Sequence, residues 1–312
     1  MTRLFSQLCA AIAVLMSLQM ARAEDFPTRP IRILVGAPAG GTTDTMARAI
    51  ADPMAAALKQ PVLVENRPGA DGNLAAAAVA SPPDGYTLLV SFSSHTINAT
   101  LYPSLPYDPV ADFTPITMIA RVPSLLVGRA DLPAKDIKEL IALARAQPHK
   151  LTTLHLAGEK FKLMTGVDLL NVPYKGTAPA LTDLLGGQID LMFISLVTGT
   201  EEVRAGKLHA YGVTSDKRQA MFPDLLAIGE AVPGFESTAW FGVFAPAGLP
   251  DAITQKLYAT IVAALAEPRL REQLKTEGAT SVGSTPKEFT AFVREDIERW
   301  APVVKASGAK PN

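Results

Sequence analysis

The stretch Ile31-Arg32-Ile33-Leu34-Val35-Gly36-Ala37-Pro38-Ala39-Gly40-Gly41-Thr42-Thr43-Asp44 decides how the chain is read. Four aliphatic residues around one arginine read as a strand. A glycine turn follows, and a helical pattern then runs from about residue 43 to 58. Adjacent Gly40 and Gly41 let the backbone turn sharply and come close to a ligand. A helix start presents free N–H groups and the positive end of its dipole, which together favour an anion. Thr42 or Thr43 is placed to cap the helix, and Asp44 to accept first-turn N–H bonds. The motif chemistry leaves two readings, an anion site or a capped helix behind a tight turn. It is not a phosphate loop, since no Gly-Lys-Ser/Thr follows, and Gly-x-Gly-x-x-Gly dinucleotide spacing is missing.

The same unit recurs downstream. Residues 62–65 read as a strand, Asn66-Arg67-Pro68-Gly69 as a turn, residues 73–80 as an alanine-rich helix and residues 87–91 as a third strand. Such alternation implies right-handed parallel crossovers and a sheet covered on both faces. The rhythm restarts with a strand at 125–127 and an amphipathic helix at 136–146, whose Ile137, Leu140, Ile141 and Ala144 share a face. A helix at 156–164 closes on Gly166; strands at 169–172 and 191–194 flank a helix at 178–185, and a strand follows at 209–214. After the Pro233-Gly234 break, 241–244 reads as a return strand and helices cover 251–266, 268–275 and 286–305. Residues 119–124 and 230–240 are the candidate hinges.

Upstream of the opening strand the chain reads as an export signal. Arg3 supplies a positive n-region, residues 8–18 are apolar, and Ala21-Arg22-Ala23 is a small-x-small cleavage site. The apolar run is shorter than the roughly 20 residues a membrane span needs. Cleavage after Ala23 leaves 289 of 312 residues and moves the formal net charge from −1 to −3. That balance gives no basic surface for nucleic acid. Cleavage also removes Cys9, the only cysteine, and with it any disulfide or thiolate chemistry. Cys9 lacks the small-residue context of a lipoprotein site. The remaining length exceeds one hydrophobic core, so two α/β domains and a soluble mature protein are expected.

Enzyme signatures are weak. His95, His149, His155 and His209 include no His-Glu-x-x-His pair, and no Gly-x-Ser-x-Gly elbow occurs. His155 and Glu159, one helical turn apart, read as a surface pair because no third metal ligand accompanies them. Ser91-Phe92-Ser93-Ser94-His95 reads as a polar loop at a strand's carboxyl end, where open α/β sheets bind ligands. Its hydroxyls serve equally well to satisfy loop backbone. Trp240-Phe241 either touches a ligand or packs the core between domains.

Nine motifs then fall in one order: Pro30-Ile31-Arg32-Ile33-Leu34-Val35, Ala39-Gly40-Gly41-Thr42-Thr43-Asp44, Glu65-Asn66-Arg67-Pro68-Gly69, Pro83-Asp84-Gly85-Tyr86-Thr87-Leu88, Leu105-Pro106-Tyr107-Asp108-Pro109, His155-Leu156-Ala157-Gly158-Glu159, Val172-Pro173-Tyr174-Lys175-Gly176, Asp183-Leu184-Leu185-Gly186-Gly187-Gln188 and Arg204-Ala205-Gly206-Lys207-Leu208. In order and spacing the chain resembles the Bug family, the extracytoplasmic solute receptors of tripartite tricarboxylate transporters.

The resemblance implies a periplasmic-binding-protein fold of the Venus-flytrap, type II-like kind, two α/β lobes joined by a hinge. One lobe would comprise residues 24–123 and 238–312, and the inserted lobe residues 124–237. It implies a periplasmic monomer that binds a small organic carboxylate and partners two integral membrane transporter subunits, with no cofactor, metal or catalytic residue. The ligand would meet Ala37, Pro38, Ala39, Gly40, Gly41, Thr42 and Asp44, with Ser93 and His95, from the first lobe. Tyr174, Lys175 and Ser195 would meet it from the second.

Three departures accompany the resemblance. Ala37 stands where an aromatic is common, and Ile194 where an aspartate would pair a ligand ammonium, which argues against amino-acid ligands. Only Thr152-Thr153-Leu154 separates Leu151 from His155. Roughly eight residues of strand and glycine/serine turn are missing there, beyond ordinary loop variation. The leading expectation is a receptor for an apolar-bodied or aromatic carboxylate. The second is a degenerate or signalling receptor that has lost high-affinity binding, and the third a hydrolase using Ser93 and His95.

Overall fold

The opening strand, β1 (Ile31–Val35), forms where the sequence places it and is covered on both sides. Ile31, Ile33 and Val35 enter one hydrophobic cluster and Leu34 another, as the two-residue period of a doubly covered strand requires. The structure, a computed structural model, describes residues 26–80, 85–172, 174, 177–276 and 278–311. The export signal, its cleavage site and Lys175 lie outside the described residues.

Next come α1 (Thr42–Leu58), β2 (Val62–Asn66), α2 (Asn73–Val79) and β3 (Thr87–Phe92). β1 pairs in parallel with both β2 and β3, as the crossovers demand. The chain continues through α3 (Ser94–Leu101), β4 (Phe113–Val122), β5 (Ser124–Arg129), α4 (Ile137–Ala146), β6 (Thr152–Thr153) and α5 (His155–Thr165). It then forms β7 (Leu170–Asn171), α6 (Thr177–Leu185), β8 (Leu191–Ser195), α7 (Leu196–Arg204), β9 (Leu208–Val213) and α8 (Ile228–Ala231). β10 (Ala239–Pro246), α9 (Asp251–Ala266), α10 (Pro268–Thr276), β11 (Thr280–Ser281) and α11 (Pro286–Ser307) complete it.

The larger sheet has the order β11-β4-β10-β3-β1-β2. β10 returns antiparallel to β3 and β4. Met46, Ile50 and Met54 of α1 and Leu257 and Ile261 of α9 cover one face; Ala75 and Ala76 of α2 and Phe289 and Val293 of α11 cover the other. A second sheet, β8-β5-β9, is likewise buried on both faces, with Leu126, Phe193 and Tyr211 on one side and Leu125, Ile194 and Val213 on the other.

Several elements differ from the sequence reading. β5 runs antiparallel to both β8 and β9, so the second sheet is not a repeat of the parallel unit. Only Pro123 separates it from β4, so the chain passes directly from the first sheet into the second. The polar stretch after β3 is the helix α3, because Ser94, Asn98 and Tyr102 recur on one face and all hydrogen-bond Asp71. Tertiary contacts override weak local propensity there. β4 carries Pro115, a residue that argues against a strand, and its pairing with β10 shifts register between Val243 and Phe244, beside the Phe244–Pro115 pair. α7 was hidden by Gly199, whose absent side chain is needed: a Cβ there would lie 2.7 Å from Ile194 Cγ2.

The two sheets join at Thr214. Its N–H donates to the Ser124 carbonyl at 2.9 Å, and its hydroxyl accepts from the Ser124 N–H at 2.8 Å. Its carbonyl accepts from the Ser237 N–H at 3.0 Å. Both crossings between the lobes are thereby tied to one residue. Glu236 adds ion pairs to Arg121 at 2.8 Å and Arg299 at 3.2 Å.

Candidate functional site

The parallel pairing of β1, β2 and β3 sets their carboxyl ends side by side, and the turn after β1 lies on that edge. Gly36 is buried there, Ala37 is half-buried, and Pro38, Ala39 and Gly40 are exposed. Gly40 has φ +81 with open space where a Cβ would stand, so the turn needs glycine for conformation and not for room. Thr42 and Thr43 do not cap the helix. Gly41 occupies the N-cap in extended conformation, φ −79 and ψ 166, with no side-chain cap bond. The first-turn N–H groups of α1 therefore have neither an intrahelical partner nor a side-chain cap.

Asp44 also differs from expectation. Its carboxylate reaches back to the Gly40 N–H at 2.9 Å and accepts from Arg48 Nε at 2.9 Å and Asn66 Nδ2 at 3.0 Å. Asn66 Nδ2 donates as well to the Ala37 carbonyl at 3.0 Å. Burial raises the Asp44 carboxyl, but the bonds from Arg48, Gly40 and Asn66 outweigh it and hold it below its ordinary value. Asp44 is thus a brace of the turn. Sequence reasoning missed Arg48 and Asn66. The Asp44–Arg48 spacing of four residues could have revealed the first; the second needs the pairing of Val35 with Asn66 across β1 and β2.

At the end of β3, Ser93 accepts from the Trp240 N–H at 3.1 Å and so fastens α3 to β10. His95 is buried and does not stand open at the sheet edge. It is 2 % exposed, ringed by Tyr107, Phe113 and Phe244, with Nε2 at 2.9 Å from the Pro109 carbonyl. The reason is the helical turn after β3, which carries residue 95 inward. Among the described residues Ser93 and His95 share no hydrogen bond, Ser93 meeting Trp240 and His95 meeting Pro109, so the pair a hydrolase would need is not formed. Trp240 and Phe241 are core residues at 1 % and 6 % exposure, and Trp240 Nε1 donates to Asp296 at 3.0 Å.

In the second lobe Ser195 caps α7, its hydroxyl accepting from the Thr198 N–H at 3.2 Å. The next residue, Leu196, donates its N–H to the hinge carbonyl of Pro123 at 3.4 Å. Gly278 of the first lobe abuts Val197, where a Cβ would come within 2.7 Å of Cγ2. Ser195 therefore lies at the hinge end of the second sheet. The Tyr174 hydroxyl donates to Asp183 at 2.7 Å, a bond that raises its pKa. Ile194 points into the second lobe's core. Glu159 pairs with Lys162 at 3.2 Å.

The short segment before His155 forms only the two-residue strand β6, paired in parallel with β7 and outside the β8-β5-β9 sheet. Asp190 replaces the missing ladder. Its Oδ2 accepts from the Thr152 N–H at 2.8 Å and hydroxyl at 3.0 Å, and its N–H donates to that hydroxyl at 2.7 Å. Leu154 then forms an extended N-cap of α5 without a side-chain cap bond. The helix follows the strand directly, with no glycine turn between.

Residues 46–309 match the model of the tripartite tricarboxylate transporter family receptor. The fold resembles that of periplasmic binding protein BugD, with 36% identity, a TM-score of 0.71, and coverage of 91% of this chain and 99% of that one. An R. palustris protein solved with adipate is 38% identical, with a TM-score of 0.74 and coverage of 92% and 100%. MatC from Rhodopseudomonas palustris, solved with bound malate, is 36% identical, with a TM-score of 0.72 and coverage of 89% and 100%. The likeness spans both lobes and carries the periplasmic-binding-protein fold.

Proposed function

The chain belongs to the tripartite tricarboxylate transporter receptor family, whose members are solute-binding receptors and not enzymes, and we propose that it captures a small organic carboxylate in the periplasm. The observation that carries this reading is the start of α1: an uncapped helix N-terminus behind an exposed glycine turn, at the carboxyl edge of three parallel strands. Such an end binds an anion through backbone N–H groups without a direct arginine contact. Ala37, Pro38, Ala39, Gly40, Gly41 and Thr42 form the first-lobe wall. Ser195, with Tyr174, forms the second. Two family likenesses, to proteins solved with adipate and with malate, point to the same ligand chemistry.

The lobes divide at residues 123/124 and 237/238, on either side of the Thr214 junction. Ligand held between them favours closure to the extent that it binds the closed state more tightly. Export through residues 1–23 agrees with Phe26, 3 % exposed, which docks into the first-lobe core just past the cleavage site. The mature protein works as a monomer that delivers its ligand to two integral membrane subunits. Isothermal titration of residues 24–312 with adipate, malate, citrate and benzoate tests the reading. Micromolar or tighter binding of at least one acid is expected; binding of none removes the proposal.

One observation favours a second reading. The abrupt β6–α5 junction removes the turn that would hold the far end of a dicarboxylate. A receptor that has lost tight binding would bind none of the four acids until a full-length turn is inserted after Thr153.

A further inference from the structure

The turn proposed to receive a carboxylate already holds one. Asp44 stands in the first turn of α1 with a side chain only 4 % exposed, and its Oδ2 lies 2.9 Å from the Gly40 N–H. An ionised carboxylate there shares the positive end of the dipole with any anionic ligand, and two like charges in one turn repel. Its charge must be matched for the site to attract an acid at all.

Arg48, one helical turn on, supplies the match. Its Nε donates to Asp44 Oδ2 at 2.9 Å and its second guanidinium nitrogen to Asn66 Oδ1 at 3.2 Å. The nearby charges offer no substitute: Arg32 is bound to both oxygens of Glu65 at 2.6 and 2.7 Å, and Arg67 leans on the same carboxylate at 4.0 Å. An Asp–Arg pair on a solvated helix face contributes little to stability. This one differs because the acid is buried at the helix end, where its charge bears on whatever binds next to it.

Resting on the carboxylate reading, we infer that Arg48 is a specificity-determining residue that acts through Asp44, converting a turn that would repel a carboxylate into one that accepts it. The Arg48 side chain is 54 % exposed, so its replacement leaves no cavity. Calorimetric titration with adipate, malate, citrate and benzoate would compare the wild type with Arg48→Met, Asp44→Asn and the double variant. Arg48→Met is expected to weaken the bound acid by roughly ten- to a hundredfold, the effect of one uncompensated charge nearby. Adding Asp44→Asn to it should restore most of that loss, because the repelling charge goes with it. A merely structural role makes the double variant at least as weak as Arg48→Met, and that result overturns the inference. Arg48→Met binding as tightly as the wild type overturns it too and leaves the carboxylate reading intact. A wild type that binds no acid removes both.

Discussion

Gly36 and Gly72 stand back to back: a Cβ on Gly36 would lie 2.6 Å from the Gly72 Cα and 3.1 Å from its carbonyl oxygen. The contact joins the root of the candidate anion turn to a strained segment. Gly72 has φ +92, and the residues before it, Ala70 and Asp71, hold φ +48 and +52 without being glycine. Such strain persists only where the surroundings over-determine it. Here they do: Ser94 and Asn98 donate to the Asp71 carbonyl at 2.8 and 3.1 Å, and Tyr102 donates to its carboxylate at 3.0 Å. One face of α3 thus fixes the height of the turn after β1.

Gly36→Ala should therefore destabilise the first lobe by about 1–3 kcal/mol, the usual range for overpacking. The urea midpoint should fall at unchanged slope, and acid binding should weaken in step. A midpoint equal to the wild type would show that the two backbones separate freely.

Asp190 holds the shortened strand β6 to the second sheet, and it also accepts from Arg129 Nε at 3.1 Å. Its side chain is 15 % exposed, so Asp190→Ala leaves the Thr152 donors without their acceptor, while Arg129 keeps Asp131 at 2.9 Å. A loss of about 1–3 kcal/mol is expected. Hydrogen exchange should quicken first at Leu170 and Val172, whose N–H groups donate to Leu151 and Thr153. Exchange that rises evenly over the whole chain would contradict a local role for Asp190.

Much of this architecture is legible in the sequence, because β1, α1, α9 and α11 each combine a clear period with a clear boundary. Asp251–Ala266 and Ile31–Val35 fall within the residues the pattern marks. The family motifs marked the turn after β1 for the same reason. What the sequence hides are features set by distant partners. α3 depends on Asp71, and His95 turns inward only because α3 exists. Asn66 braces the anion turn only because β2 lies beside β1. No local pattern encodes those meetings.

His95 gives the first lobe an acid sensitivity. Burial pushes its pKa down to about 4, against the bond to Pro109, so the folded lobe keeps the ring neutral. The unfolded chain takes up the proton near pH 6.5, so stability falls as pH drops from about 6.5 to 4 and the loss is complete below that. The loss attributable to this group is about 3 kcal/mol. His95→Phe suits the aromatic surroundings and should flatten that part of the profile. Parallel profiles for the two proteins would mean that His95 titrates normally.

Lys160 makes the opposite kind of case, a charge buried between the lobes. It lies on α5, 3 % exposed, with the Trp300 ring of α11 at 5.0 Å and the Phe235 ring at 5.8 Å. Its ammonium donates to the Glu236 carbonyl in the hinge. Burial and then Arg299 lower its pKa to about 8, against the pull of Asp296 and Glu236. Because the folded value lies below the unfolded one of about 10.5, the fold disfavours the charged form. That penalty is fully present below pH 8 and fades as pH rises toward 10.5. Lys160→Met removes the penalty along with the charge. The variant's stability relative to the wild type should therefore be highest at pH 7 and should decline through pH 8, 9 and 10, read from urea midpoints. A difference independent of pH would show that the ammonium keeps its ordinary pKa. Met also leaves the Glu236 carbonyl without its donor, so the α5–α11 contact should loosen even where the fold is more stable. Faster exchange at Ser237 beside an unchanged rate at Ile33 would separate that hinge effect from global stability.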